Sequence, residues 1–245
     1  MSPPEKNKFI SNWIKSYVDQ MPVKAQSLVI GISGGIDSSV SSTLSAMTGI
    51  KTIVLTMPIR QKNNQHDLSL KHQGWLIKNF KNVEAHTINL DKLFESFSST
   101  LEKFDNEHGY ANSRARLRMT TLYQVAAANR GIVVGTGNKV EDFGVGFYTK
   151  YGDGGVDISP IADCNKTEVW ELGKELGILK EIIDAPPTDG LWDDGRTDEG
   201  QLGFKYEDLE DAMKNPNSPY RQEYEKIRKQ NLHKMEPIPV CKIPS

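Results

Sequence analysis

The chain has 245 residues, enough for one sizeable core, and a single domain over residues 1–245 with C-terminal extensions is the default. Thirty basic against 32 acidic residues leave a net charge of −2 and a pI near 6.2, which argues against a general nucleic-acid binder. No apolar run approaches a membrane span, the N-terminus lacks a signal-peptide shape, and Cys164 and Cys241 form no Cys-x-x-Cys pair, so a reducing cytoplasm is the simplest setting.

Phe9, Ile10, Trp13, Ile14, Tyr17, Val18 and Met21 repeat at helical spacing until Pro22, which predicts an amphipathic leading helix packed on a sheet or a partner chain. The apolar run Leu28 to Ile32 predicts a buried strand. It breaks at Ser33-Gly34-Gly35, and a helical pattern follows from Asp37 to about Thr48. A strand that turns through glycines into a helix start brings unpaired amides and the positive end of the helix dipole to one point, which suits a phosphate. The Walker spelling is excluded because no lysine lies between Lys24 and Lys51, and Gly31, Gly34 and Gly35 do not fit Gly-x-Gly-x-x-Gly. Asp37, an anion beside bound phosphate, makes sense with a bridging cation, and Mg²⁺ is the natural choice. A plain Gly-rich turn with a Ser/Asp cap is the bland alternative.

Ile50 to Met57 predicts a second strand, Asp67 to Phe80 a helix weakened by Gly74, and Val83 to Ile88 a third strand. Leu93, Phe94, Phe97, Leu101 and Phe104 mark the next helix, and Asp105 to Asn112 reads as a loop. A long helix from about Ser113 to Arg130 carries Arg114, Arg116 and Arg118, and Ile132 to Gly135 is a fourth strand. This alternation predicts an α/β fold with a doubly wound parallel sheet, its ligands at the carboxyl ends of the strands.

Thr136 to Asp163 is a long, glycine-dense segment whose Phe147, Tyr148 and Tyr151 stand between lysines and carboxylates, a pattern of function rather than disorder. Asn165-x-x-Glu168 opens a helix that ends at Gly177. Pro186 to Gly203 has no period and reads as a mobile loop. Helical patterns resume near Tyr206 to Lys214 and Pro219 to Lys234, and the tail from Pro237 to Ser245 reads as extended. The core is thus expected at about 24–180, with loop and helices over 181–245.

The spelling Ser33-Gly34-Gly35-Ile36-Asp37-Ser38 resembles the loop of the N-type ATP pyrophosphatases. With Arg116-Leu-Arg-Met, Gly135-Thr136, Glu141, Phe-Tyr-Thr-Lys150-Tyr-Gly-Asp-Gly-Gly-Val-Asp157, Lys166, Pro187-Thr188-Asp189 and His233-Lys234 in the same order, nearly the whole chain is similar to the ammonia-dependent NAD synthetases. That resemblance implies an adenine-nucleotide α-hydrolase-like, Rossmann-like three-layer fold and a ligase forming a C–N bond. It implies the last step of NAD biosynthesis: amidation of deamido-NAD by ammonia through an adenylated nicotinate carboxylate, releasing AMP and pyrophosphate. A homodimer with substrate across the interface is implied as well. By resemblance, Gly31, Ser33, Gly34, Gly35, Ile36, Asp37, Ser38, Thr136, Lys166 and Thr188 contact ATP. Asp37 and Glu141 hold Mg²⁺, and Arg116, Lys150, Asp157, His233 and Lys234 contact deamido-NAD. Asp37, Lys166 and Asp157 form the catalytic set, with Asp157 or Asp153 as acceptor of the ammonium proton.

Two departures stand out. Glu141 to Lys150 is one residue longer than the commoner family spacing, which makes Asp142 an alternative metal ligand. The loop after the second strand differs in register, leaving Arg60 and Gln65 as weaker nucleotide contacts. A tRNA-modifying relative would carry a basic face and further cysteines, and a glutamine-hydrolysing one a second domain. A non-catalytic adenine-nucleotide sensor would have no use for Asp37 or the Lys150–Asp157 stretch.

Overall fold

The computed structural model describes residues 1–60, 63–188 and 197–244, and only the backbone of 63–65. The elements in chain order are α1 (Pro3–Gln20), β1 (Ser27–Gly31), α2 (Ile36–Met47), β2 (Lys51–Thr56), α3 (Asn63–Asn79), β3 (Val83–Thr87), α4 (Asp91–Thr100), α5 (Glu107–Ala128) and β4 (Gly131–Val133). A π-helix (Lys139–Val145) follows, then α6 (Lys166–Glu175), α7 (Lys180–Ile183), α8 (Asp198–Leu202), α9 (Tyr206–Lys214) and α10 (Arg221–Met235).

The four strands are parallel in the order β3-β2-β1-β4, so the chain reverses direction across the sheet between β1 and β4. Ligands of such sheets sit at the carboxyl ends of the strands flanking that reversal. Strand side chains alternate between two layers. Leu28, Ile30, Ile32 and Val54 pack with Ile10, Ile14 and Val18 of α1, Val40 and Leu44 of α2, and Val169 and Leu172 of α6. Val29, Ile53, Leu55 and Val133 pack with Phe94 of α4 and Met119, Leu122 and Ala126 of α5. Both faces of the sheet are covered, as the doubly wound reading requires.

α2 is buried although it is rich in serine, because its hydroxyls bond back into its own turns: Ser45 Oγ donates to Ser41 O (2.8 Å) and Thr43 Oγ1 to Ser39 O (2.7 Å). The C-terminal helices build a small core of their own, in which Tyr206, Leu209, Ala212 and Tyr224 enclose Val140 and Val145 of the π-helix.

Some expectations change. α1 begins at Pro3 behind a Ser2/Glu5 capping box, and it buries Ile10, Ile14 and Val18 while Phe9, Trp13 and Tyr17 stay exposed. α5 starts six residues earlier than periodicity indicated, because Asn106 Oδ1 caps it by accepting the Gly109 N–H (2.7 Å). α3 passes through Gly74, where a side chain would meet open space. α8 lies inside the aperiodic 186–203 stretch, of which 189–196 fall outside the described residues. Among the described residues no helix is long and apolar enough to cross a membrane.

Candidate active site

β1 ends at Gly31, where a Cβ would come within 3.3 Å of Met57 Cε and 3.6 Å of Leu122 Cδ1, so a larger residue would crowd the strand end. Gly34 takes φ = 93°, which only glycine adopts readily, and turns the chain back toward α2. Within this turn the Gly35 N–H donates to Ser33 Oγ (3.2 Å) and the Ser33 N–H to Ser38 Oγ (3.2 Å). The N-cap of α2 is Gly35, which has no side chain to cap with. The start of a 12-residue helix at the end of a central strand suits an anion. Ile36 is buried against α6: a Cβ at Gly173 would sit 2.6 Å from Ile36 Cδ1, which leaves its backbone to the loop.

A cavity opens in front of this loop. It is lined by Gly31, Ser33, Asp37 and Ser38 of the turn, Thr136 and Gly137 after β4, Glu141 and Asp142 of the π-helix, and Asp153, Thr188 and Asp198. Ala115, Arg118, Met119 and Leu122 close one wall from α5, at spacings that share one helix face.

Asp37 and Glu141, 104 residues apart, meet on one ammonium. Lys166, 2 % exposed, places Nζ 2.5 Å from Asp37 Oδ2 and 3.0 Å from Glu141 Oε1, and 4.9 Å from the centre of the Tyr206 ring. Asn138 ties the same groups together. Its Nδ2 donates to Asp37 Oδ1 (3.1 Å), while its Oδ1 accepts the Val140 and Glu141 N–H groups at the start of the π-helix (3.0 and 3.1 Å).

Glu141 stands in the π-helix, a wide turn that recurs at functional sites. Glu141 and Asp142 both line the cavity. The carbonyls at the C-terminal end of the π-helix are held by α10: Arg228 donates to Phe143 O and Gly144 O, and Asn231 Nδ2 to Val145 O (2.9 Å).

Burial drives the Asp37 carboxyl above its ordinary range; Lys166 pulls it down and Glu141 pushes it up again. Burial also raises Glu141, but Lys166, Tyr206 and Asn138 together bring it below the usual value. Burial opposes the charge on Lys166, yet its two carboxylates hold it well above a free lysine. Burial, followed by Glu141, Asp153 and Asp37, pushes Asp142 well up. Asp153, which accepts the Thr149 N–H (2.9 Å), is pushed up to about 6, chiefly by burial. The Cys164 thiol, buried and free, is raised to about 11 by burial, and Cys241 is exposed and free.

The residues matched to deamido-NAD do not enter the cavity as a group. Arg116 is exposed and its Nε donates to Lys150 O (3.2 Å); Lys150 Nζ lies over the Tyr151 ring (5.5 Å). Asp157 is engaged by the Tyr123 hydroxyl (3.0 Å) and the Val133 N–H (2.7 Å), so of the two candidate proton acceptors it is Asp153 that faces the cavity. His233 is exposed, and Lys234 Nζ donates to Tyr148 O (2.7 Å). Arg60 has φ = 48°; its N–H donates to Asp91 Oδ1 (2.6 Å) and its guanidinium lies over Phe94. The Gln65 side chain and Asp189 lie outside the described residues.

Sequence reasoning missed Arg118, Asn138, Tyr206 and Asp198. Arg118 belonged to a marked triplet of arginines, and Asn138 carried the signal of an N-cap before an apolar residue. Tyr206 and Asp198 carried none, since only tertiary packing brings them to the site. Among the described residues no three or more His, Cys, Asp or Glu side chains gather as a metal cage. The fit to Mg²⁺ is instead that of two hard carboxylates, already sharing one cation, beside a phosphate loop; Mg²⁺ keeps phosphate oxygens and waters as its other ligands.

Known proteins resemble this chain over nearly its whole length. The NAD synthase family profile matches residues 7–242. The ammonia-dependent NAD(+) synthetase of Carboxydothermus hydrogenoformans is 38% identical over 84% of this chain and 83% of its own length. That of Finegoldia magna is 36% identical over 92% and 90%. Among solved structures, an NMN synthetase from Francisella tularensis superposes with a TM-score of 0.91 at 32% identity, covering 99% of this chain and all of that one. An ammonia-dependent NAD synthetase from Campylobacter jejuni, at 24% identity and a TM-score of 0.79, shows the same fold. With a profile spanning nearly the whole chain and relatives of this identity and coverage, the chain belongs to the NAD synthase family.

Proposed function

We propose that the chain amidates a nicotinate nucleotide with ammonia at the expense of ATP. The observation that carries this is the meeting of Asp37 and Glu141 on buried Lys166 beside a glycine-turned helix start. A carboxylate cannot lose oxide, so it must first be activated. A nicotinate oxygen attacks the α-phosphorus and the bond to the bridging oxygen breaks, releasing pyrophosphate. Ammonia then adds to the acyl carbon, AMP leaves with the C–O electron pair, and one proton is shed.

The loop amides and the Ser33 and Ser38 hydroxyls suit the departing diphosphate, while Thr136 and Thr188 stand at the cavity wall for ATP. Lys166 offsets charge on the phosphates. Bound Mg²⁺, held by Asp37 and Glu141, would supply further neutralisation of phosphate charge. Asp153, facing the cavity with a raised pKa, takes the proton from ammonium.

Deamido-NAD is the first substrate reading. The exposed Arg116 and His233 and the half-buried Lys150 suit contacts made at the face of a homodimer, where a second copy completes the dinucleotide site. A second reading is nicotinate mononucleotide, because the solved NMN synthetase superposes at 0.91 and 32% identity. Purified protein given ATP, Mg²⁺ and ammonium with each nucleotide in turn decides. Equimolar AMP, pyrophosphate and amide are expected with at least one, and the ratio of kcat/KM values names the substrate. ATP binding without pyrophosphate from either would leave a nucleotide sensor and sink the proposal.

A further inference from the structure

Tyr206 opens α9 and is fully buried, with its ring edge-on to Trp170 at 6.0 Å. Its hydroxyl donates to Glu141 Oε1 at 2.5 Å, and Asp198 Oδ2 lies 3.3 Å from the same oxygen. Having one hydrogen to give, the phenol serves Glu141, the nearer carboxylate. The face of the same ring lies 4.9 Å from Lys166 Nζ, the other partner of Glu141. One side chain therefore holds a carboxylate by its hydroxyl and an ammonium by its π-face.

Tyr206 and Lys166 both bond Glu141 at Oε1, and the Asn138 side chain adds a contact to the same carboxylate. A carboxylate pinned through one oxygen has its plane and rotamer set, and its second oxygen is aimed by default. That matters here because Glu141 stands on a π-helix, a rare turn that recurs at functional sites. The backbone of Tyr206 is itself anchored, its N–H donating to Glu199 Oε1 at 3.2 Å, so the aim of Glu141 is tied to α8 and α9 of the C-terminal unit.

We propose that Tyr206 is a positioning residue that orients Glu141 for a divalent cation, and so makes the C-terminal helices a working part of the phosphate site. This rests on the reading of Asp37 and Glu141 as the cation ligands. Outer partners of ligating carboxylates commonly matter ~10–100-fold in metal affinity.

Tyr206→Phe keeps the ring, its packing and its face toward Lys166, and removes only the hydroxyl. The probe is Mn²⁺, titrated by electron paramagnetic resonance in the presence of a non-hydrolysable ATP analogue, with circular dichroism as a check on folding. Mn²⁺ affinity is expected to fall about tenfold or more, with the Mg²⁺ requirement for turnover shifting in parallel. An affinity within twofold of the parent overturns the proposal. Tyr206→Phe/Asp198→Asn, which also removes the charge of the carboxylate beside the ring, carries the same expectation should the single variant fold poorly. Glu141→Gln, measured alongside, separates the two layers. If it weakens Mn²⁺ and Tyr206→Phe does not, only the positioning role falls; if neither does, the cation site itself is misassigned.

Discussion

Lys166 Nζ lies 2.5 Å from Asp37 Oδ2 with the lysine all but sealed from solvent, so one buried ammonium compensates two carboxylates drawn from opposite ends of the α/β core. Lys166→Met would keep the volume and leave Asp37 and Glu141 facing each other uncompensated. Removing one member of a buried ionic set costs about 3–5 kcal/mol. Chemical denaturation should show a loss of that size, partly restored by Mg²⁺ with an ATP analogue, because a divalent cation replaces the missing charge. A loss no larger than that of a surface substitution would mean the carboxylates are not charged in the folded protein.

Asp37→Asn separates charge from shape. The amide still accepts from Asn138 and removes repulsion with Glu141, but it gives up the ion pair with Lys166, which keeps only Glu141, so stability should fall by less than in Lys166→Met. Pyrophosphate release should nevertheless drop by about a hundredfold or more, as when a group stabilising transition-state charge is lost. A variant that turns over normally would remove Asp37 from the chemistry.

Much of this was legible in the chain. Strands and helices declared themselves because the sheet is buried on both faces and its helices carry caps: Asn165 and Glu168 frame α6, and Gly177 (φ = 70°) follows it as expected. The phosphate turn was legible because its conformation demands glycine at Gly34. Less visible was anything decided by packing at a distance. Asn106 hides an N-cap in a polar stretch, and nothing in the pattern of Lys139 to Val145 announces a π-helix. Arg116 and Arg118 differ only by helix phase, and that phase decides which one reaches the cavity. Tyr206 belongs to a helix whose pattern says core and whose hydroxyl says otherwise.

Asp153 gives a pH signature. Its carboxyl, raised to about 6 by burial, must be ionised to take a proton. Turnover by the parent should therefore fall with an added tenfold-per-unit slope below about pH 6, beyond the decline from the falling fraction of free NH₃. Asp153→Asn should be slower throughout and keep only the ammonia slope. If the break near 6 persists in the variant, another group owns it.

His72 should govern acid stability. It is buried with Nε2 3.0 Å from Ser42 Oγ, and burial lowers its pKa from 6.5 to about 4. The unfolded chain binds the proton first as pH falls, so the contribution is complete above about 6.5 and drains away toward 4. Spread over that interval it amounts to about 3 kcal/mol. Denaturant midpoints measured from pH 7 to 4 should decline more steeply for the parent than for His72→Gln. Equal slopes would show that other groups carry the acid sensitivity.

Gly137 tests how tightly the π-helix is set. A Cβ at that position would stand 1.9 Å from Asp142 Oδ2 and 2.3 Å from Asp142 Cγ, so Gly137→Ala must displace Asp142. Asp142 cannot yield alone, because Glu141 beside it is held by Lys166 and Tyr206, and the far end of the π-helix is fixed by Arg228 and Asn231. Overpacking of this kind costs about 1–3 kcal/mol, and turnover should fall with it as Glu141 is dragged from its place. Asp142→Ala removes the obstacle, so in that background Gly137→Ala should cost little in either measurement. A double-mutant cycle with no coupling between the two positions would mean that the turn after β4 relaxes independently of the π-helix.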